Sequence, residues 1–233
     1  GLTFDILAFV PRGGTELVRR YTITNTSKEA LAVDLVPVVE FSHFDALKQL
    51  TNADWVPQTM HSQAVAIKDG RTAIASYAFM KRDSEVNILY ANKPAVSWET
   101  DRKRFLGDNE YGTWREPLSL KNEKLSGKDA VRGDIIAALQ LDLGTLQSGE
   151  TTSVITVLTQ KGALSTVADS CSAFTTDAEV DRAFADLSAF WDDYLSVLKV
   201  HTPSDAFNSM INLHNPRQCY TTKIWSRYLS LYQ

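Results

Sequence analysis

Apolar and polar residues alternate over most of the first 160 positions, and the spacing changes to a helical one near Thr176. Leu17, Arg19, Tyr21 and Ile23 fall on one side of a two-residue period, and residues 33–39, 134–141 and 152–158 are rich in β-branched and aliphatic side chains. Successive side chains of a strand point to opposite faces, so these runs predict strands. Asn25-Thr26-Ser27 and Gln147-Ser148-Gly149-Glu150 each separate two such runs, and Asp69-Gly70 lies between residues 64–68 and 71–79. Asp-Gly flanked by alternating runs predicts a hairpin, because both central residues of that turn must accept positive φ. Gly13-Gly14 also lies between strands, where it makes a turn rather than a phosphate cradle. Together these features predict a mostly antiparallel β-sandwich. Residues 92–129 are charged and weakly periodic, which predicts a long loop of the kind that is usually functional or disordered.

Thr176-Asp177-Ala178-Glu179 is a capping box, in which the threonine and glutamate side chains satisfy free amides at a helix start. Behind it Val180, Phe184, Leu187, Trp191, Leu195 and Leu198 recur at spacings of four and three. That apolar stripe predicts a helix over 177–200 of about six turns. Pro203 suits the first turn of a following helix, in which Phe207, Met210, Ile211 and His214 share a face. Pro216 is expected to kink or end that helix. A third helical run begins near Thr221 and breaks off at Tyr232-Gln233 without a cap, while the first residues already alternate like a strand. Both ends are therefore expected to be cuts in a longer chain.

With 233 residues and 44% hydrophobic content the chain has the material for a proper core. Lys and Arg total 24 against 28 Asp and Glu, so there is no basic footprint for nucleic acid. Two distant cysteines, Cys171 and Cys219, make no disulfide framework and suit a reducing compartment. A cytoplasmic location without membrane partners is the expectation, since no apolar run approaches the roughly 20 residues that span a bilayer.

Candidate chemistry is sparse. The histidines at 43, 61, 201 and 214 form no HExxH pair and share no metal spacing with cysteine, so no metal site is expected. Asp192-Asp193 are neighbours on a helix and diverge by roughly 100°, too far to flank one bond. There is no GxSxG elbow. Asp101-Arg102-Lys103-Arg104 is the one dense cationic run, and its plain reading is a solvated loop. Trp55, Trp98 and Trp114 either pack in the core, the commoner fate, or stack on a sugar ring. Arg227, within Lys223-Ile224-Trp225-Ser226-Arg227-Tyr228, either makes a surface ion pair or offers its planar fork to an oxyanion such as phosphate.

Several segments, in order, resemble the phosphorylases of glycoside hydrolase family 94, the group of cellobiose, cellodextrin, chitobiose, laminaribiose and cellobionic acid phosphorylases. They are Asn25-Thr26-Ser27, Val39-Glu40-Phe41, SWETDRKRFLGDNEYGTW at 97–114, RGDIIAALQLDLGTLQSGE at 132–150, TPSDAFNSMIN and QCYTTKIWSR. TNADWVPQTM at 51–60, HNPRQC and WSRYLSLYQ look nearest to the cellobionic acid and laminaribiose phosphorylase side. The resemblance implies an antiparallel supersandwich over 1–165, an α-helical linker over 166–200, and over 201–233 the first helices of a truncated (α/α)6 catalytic barrel. It also implies a glycosyltransferase-type reaction: a β-linked glucosyl disaccharide or short oligosaccharide is cleaved with inversion by inorganic phosphate, giving α-glucose 1-phosphate. Arg227 matches the family's phosphate-binding arginine. Gln58 aligns near a sandwich loop that reaches the acceptor subsite of the neighbouring subunit in a homodimer. The general-acid aspartate would lie beyond residue 233, leaving this chain inactive alone, and no cofactor is implied, since phosphate is a co-substrate. Two alternatives stand beside it, a non-catalytic carbohydrate-binding module using Trp98 or Trp114 and a structural dimerisation domain.

Overall fold

The computed structural model describes residues 1–41, 60–107 and 114–229, with Met80 and residues 224–229 described by their backbone alone. They divide into two compact units, Gly1–Asp181 and Arg182–Gln233. The first unit holds two antiparallel sheets. One has six strands in the order β1-β2-β10-β7-β6-β5: β1 is Leu2–Phe9, β2 Leu17–Asn25, β5 Met60–Ala66, β6 Thr72–Ala78, β7 Val86–Ala91 and β10 Thr151–Lys161. The other is organised by β9, Ile135–Leu146. One edge of β9 takes β3 (Leu31–Leu35) and then β4 (Val38–Glu40), interrupted at Pro37, which has no amide to give the ladder. β4 and β8 (Ser97–Asp101) both pair with Ala138, so β8 lies along the opposite edge.

Ile74, Leu89, Ala91 and Val154 from the first sheet meet Ala137, Leu139 and Leu141 from β9 in the inner core, with Tyr21 packed against them. This is the face that the two-residue period of β2 marks. The outer face of β9 is closed too: Ile136 and Ala138 pack on Phe105, Leu106 and Leu125. β9 is thus buried on both faces over residues 135–141, which explains its unbroken apolar stretch. On the outer face of the larger sheet, Tyr90 donates its hydroxyl proton to the Ala173 carbonyl, and the buried Arg71 donates to the carbonyls of Ala91 and Cys171. These bonds fasten the segment containing α2 (Val167–Ser170), whose Val167 and Cys171 are buried.

The turns follow the sequence closely. Asp69 and Gly70 both have positive φ, 61° and 67°, in the tight connection between β5 and β6. The Asn25 amide donates to the Glu150 carbonyl where β2 ends and β10 begins, and Gly149 donates to the Asn25 carbonyl. The charged stretch at 92–129 differs from expectation. It contains β8 and the short helix α1, Arg102–Leu106, because Glu99 and Thr100 are wholly buried on polar partners and leave no apolar period to detect.

The predicted capping box forms: Glu179 Oε2 accepts from the Thr176 amide at 3.0 Å, and the Glu179 amide donates to Thr176 Oγ1 at 3.3 Å. It opens α3, Asp177–Ser196, which ends four residues short of the expected Val200. Ser204 then caps α4, Asp205–Ser209, by accepting from the Phe207 amide. Pro216 does not end the helical run. A π-helical turn at Met210–His214 leads directly into α5, Asn215–Leu229, so the missing proline N–H falls where the hydrogen-bond ladder is already displaced. No helix among the described residues is long and apolar enough to cross a membrane.

Candidate functional site

The segments that look most family-like turn out to be polar fastenings. Asn25 is fully buried where the chain leaves the six-stranded sheet. Its Nδ2 donates to the carbonyls of Glu29 and Leu146, and its Oδ1 accepts from the amide and hydroxyl of Ser27. A buried amide with every valence used costs little and fixes one conformation. In the helical unit, Asn208 and Asn212 stand one turn apart. Asn208 binds the amide and carbonyl of Thr202, and Asn212 binds the amide and carbonyl of Val200, all between 2.7 and 2.9 Å. Sequence reasoning missed these paired clamps, although an Asn-x3-Asn spacing places both amides on one helix face.

The cationic run is neither a loop nor free in solvent. Asp101 caps α1 by accepting from the Arg104 amide at 2.8 Å. Arg102 pairs with Glu40 and Asp134 and lies over the Trp114 ring, 5.9 Å from its centroid. Arg104 binds Glu99 through Nε and Nη2. Burial raises the pKa of the Asp134 carboxyl from its ordinary value even though Arg102 opposes it. Trp98 packs on the inner core, and Trp114, 46% exposed, rests against Phe105. The most exposed of the described indoles is therefore already held between a cation and a phenyl ring.

The second unit has its own cavity, about 300 Å3, lined by Leu187, Trp191, Leu195, Leu213 and Arg217 among others. Phe190, Trp191, Tyr194 and Tyr220 form an aromatic cluster with centroids 5.2–6.1 Å apart, and Arg217 lies 5.8 Å from the Trp191 centroid. Arg227 stands on the backbone of α5 within this unit. Gln58, with Trp55, lies outside the described residues. Burial pushes the Cys171 thiol up to about 11, and the described residues hold no group of three His, Cys, Asp or Glu suited to a metal ion.

The model of the glycosyl hydrolase 94 supersandwich domain matches residues 1–177 of this chain. The chain belongs to that family. Its supersandwich and helices are 25% identical to an N,N'-diacetylchitobiose phosphorylase of Vibrio proteolyticus, over 95% of this chain and 27% of the relative. A phosphorylase of the same name from Vibrio furnissii is 25% identical over 99% of this chain and 28% of its own length. A 3-O-beta-D-glucopyranosyl-beta-D-glucuronide phosphorylase of Paenibacillus borealis is 21% identical over 92% of this chain and 27% of its own. The chain spans a little over a quarter of these relatives, and the supersandwich fills three-quarters of it.

Proposed function

We propose that these 233 residues are the supersandwich, the helical linker and the opening helices of the catalytic barrel of an inverting disaccharide phosphorylase. The observation that carries this reading is the family match over residues 1–177, joined to phosphorylase relatives that align across 92–99% of the chain. In the proposed reaction a carboxylic acid protonates the glycosidic oxygen while phosphate attacks the anomeric carbon from the opposite face. The C–O bond to the acceptor breaks as the bond to phosphate forms, giving α-glucose 1-phosphate. Phosphate replaces the activated water of an inverting hydrolase, so one carboxylic acid suffices. That acid belongs, in this proposal, to polypeptide beyond residue 233.

Two residues of this chain take roles in the proposal. Arg227 grips phosphate, for which a planar guanidinium supplies charge and two parallel donors. Gln58 lies at the acceptor side of the neighbouring subunit in a homodimer. Its neutral amide suits an acceptor different from one selected by a cationic side chain at that place. The finer identity of the sugar, on the cellobionic acid or laminaribiose side, rests on the wording of residues 51–60 and 214–233 alone.

The test compares the 233-residue chain with the product of its uninterrupted reading frame. Each is incubated with phosphate and cellobionic acid, laminaribiose, cellobiose or diacetylchitobiose, and release of the sugar 1-phosphate is followed. The longer product should turn over at least one disaccharide and the shorter none. Arg227→Ala in the longer product should lower kcat/KM for phosphate roughly 100-fold. Release of glucose 1-phosphate by the isolated chain, or an unchanged phosphate dependence in Arg227→Ala, refutes the proposal.

A further inference from the structure

The outer face of the smaller sheet carries a second cavity, about 560 Å3, within the range of small-molecule sites. Glu99 forms part of its wall. The residue is wholly buried, and its two oxygens are treated very differently. Oε1 accepts from the amides of Thr100 and Asp101 and from Nε of Arg104, at 2.8–3.0 Å, and Nη2 of Arg104 lies 2.8 Å away as an ion-pair contact. Oε2 has no hydrogen-bond partner among the described residues. A buried carboxylate oxygen without a donor is costly, and a native fold rarely keeps one without a use.

The cavity's charges narrow what such a use is. Lys103, Arg104 and Lys124 stand on its wall with Glu99 and Asp101. Three cations disfavour a bound cation, and the unpartnered carboxylate oxygen disfavours an anion. A neutral ligand that both donates and accepts hydrogen bonds meets neither objection. Asn122 and Lys124 face the same space, and their side chains make no hydrogen bond or ion pair with the described residues. Leu118 gives one apolar wall, closely approached by Gly107, where an added Cβ would come within 3.2 Å of the Leu118 Cβ.

We propose that this cavity is a binding site for one neutral hexose unit, a sugar or the end of a glucan chain, separate from any site of phosphorolysis. A sugar hydroxyl donates to Glu99 Oε2. The terminal torsion of a glutamate is soft, so a small rotation about Cγ–Cδ turns Oε2 toward the cavity, and Oε1 moves with it but stays within reach of its donors. Asn122 and Lys124 donate to further hydroxyls, and the C–H face of the ring lies on Leu118. The site stands on the sandwich alone and survives if the phosphorylase reading fails.

Amide chemical-shift titration of the 233-residue chain tests it, with glucose, cellobiose, sodium phosphate and calcium chloride as separate probes. The expected result is a saturable shift with a sugar, centred on the amides of Gly107 and Ser126. The double substitution N122A/K124A, at exposed positions that leave the fold intact, should weaken it by about fivefold or more. Glu99→Gln should weaken it further wherever that variant keeps the wild-type spectrum. Saturation by phosphate or calcium in place of sugar, no saturable shift below about 10 mM sugar, or undiminished binding in N122A/K124A would each overturn the proposal.

Discussion

The sandwich and the helices handle their apolar residues in opposite ways. In Gly1–Asp181 both faces of β9 are closed, and Ile74, Ile136, Leu139 and Leu141 are inaccessible to water. In Arg182–Gln233 no described residue is fully buried, and Val197, Phe207 and Met210 are half or more exposed. The helical unit is held instead by aromatic rings that meet edge to face and by the amide clamps of Asn208 and Asn212. A sheet covered on both sides completes its own core, whereas an amphipathic helix pair leaves part of its stripe in water. Stability should therefore be concentrated in the sandwich.

Truncation of one leucine in each unit puts the largest strain on this contrast. Leu139→Ala removes a fully buried side chain between two sheets and should cost about 2–5 kcal/mol. Leu195→Ala, on the half-buried stripe of α3, should cost under about 1.5 kcal/mol, since less area returns to water. Urea midpoints for the two variants measure the difference. Equal losses would mean that the helices share a core as tight as that of the sandwich.

A smaller effect is expected at the capping box. Thr176→Ala should lose about 1 kcal/mol, the usual worth of an N-cap hydroxyl. Glu179 adds a pH signature. Burial raises its pKa, but the amides and hydroxyls of Thr175 and Thr176 outweigh this and leave it lowered. A depressed carboxylate stabilises the fold above its unfolded pKa, and that contribution is lost as pH falls through the folded value. Glu179→Gln should flatten the acid limb of thermal stability. An unchanged limb would mean that the box adds nothing to the fold.

How much of this was legible in the chain follows from what each feature depends on. The Asp69-Gly70 turn and the capping box are decided by a few adjacent residues, and both form as predicted. Tyr21 and Ile23 point inward because alternation on a strand is local geometry. β8 was hidden because Glu99 is buried by Arg104, a partner provided by the next helix rather than by the strand. The helix continues through Pro216 because a π turn precedes it, which a count of helix formers does not reveal. The fastenings at Asn25, Asn208 and Asn212 are visible as words in the sequence, but their partners include carbonyls as far away as Leu146. Of the two expected ligand-binding residues, the helix under Arg227 was readable from periodicity. Nothing in the residues around Gln58 carries an equivalent local signal.

The smallest effect is expected at His61, on β5 at the edge of the larger sheet. Its ring stacks on Tyr77 at 5.5 Å and meets Phe79 at 5.8 Å. Burial lowers its pKa from 6.5, and the nearby Arg132 lowers it further. The folded state thus prefers the neutral ring and binds fewer protons than the unfolded chain below that value. Stability falls as pH drops from 6.5 toward the folded pKa and is then constant with respect to this group. His61→Phe keeps the stacking and removes the titration, so its Tm should hold steady over the interval in which the wild-type Tm drifts down. A drift that persists undiminished in His61→Phe would take this pH sensitivity away from the packed edge of the sandwich.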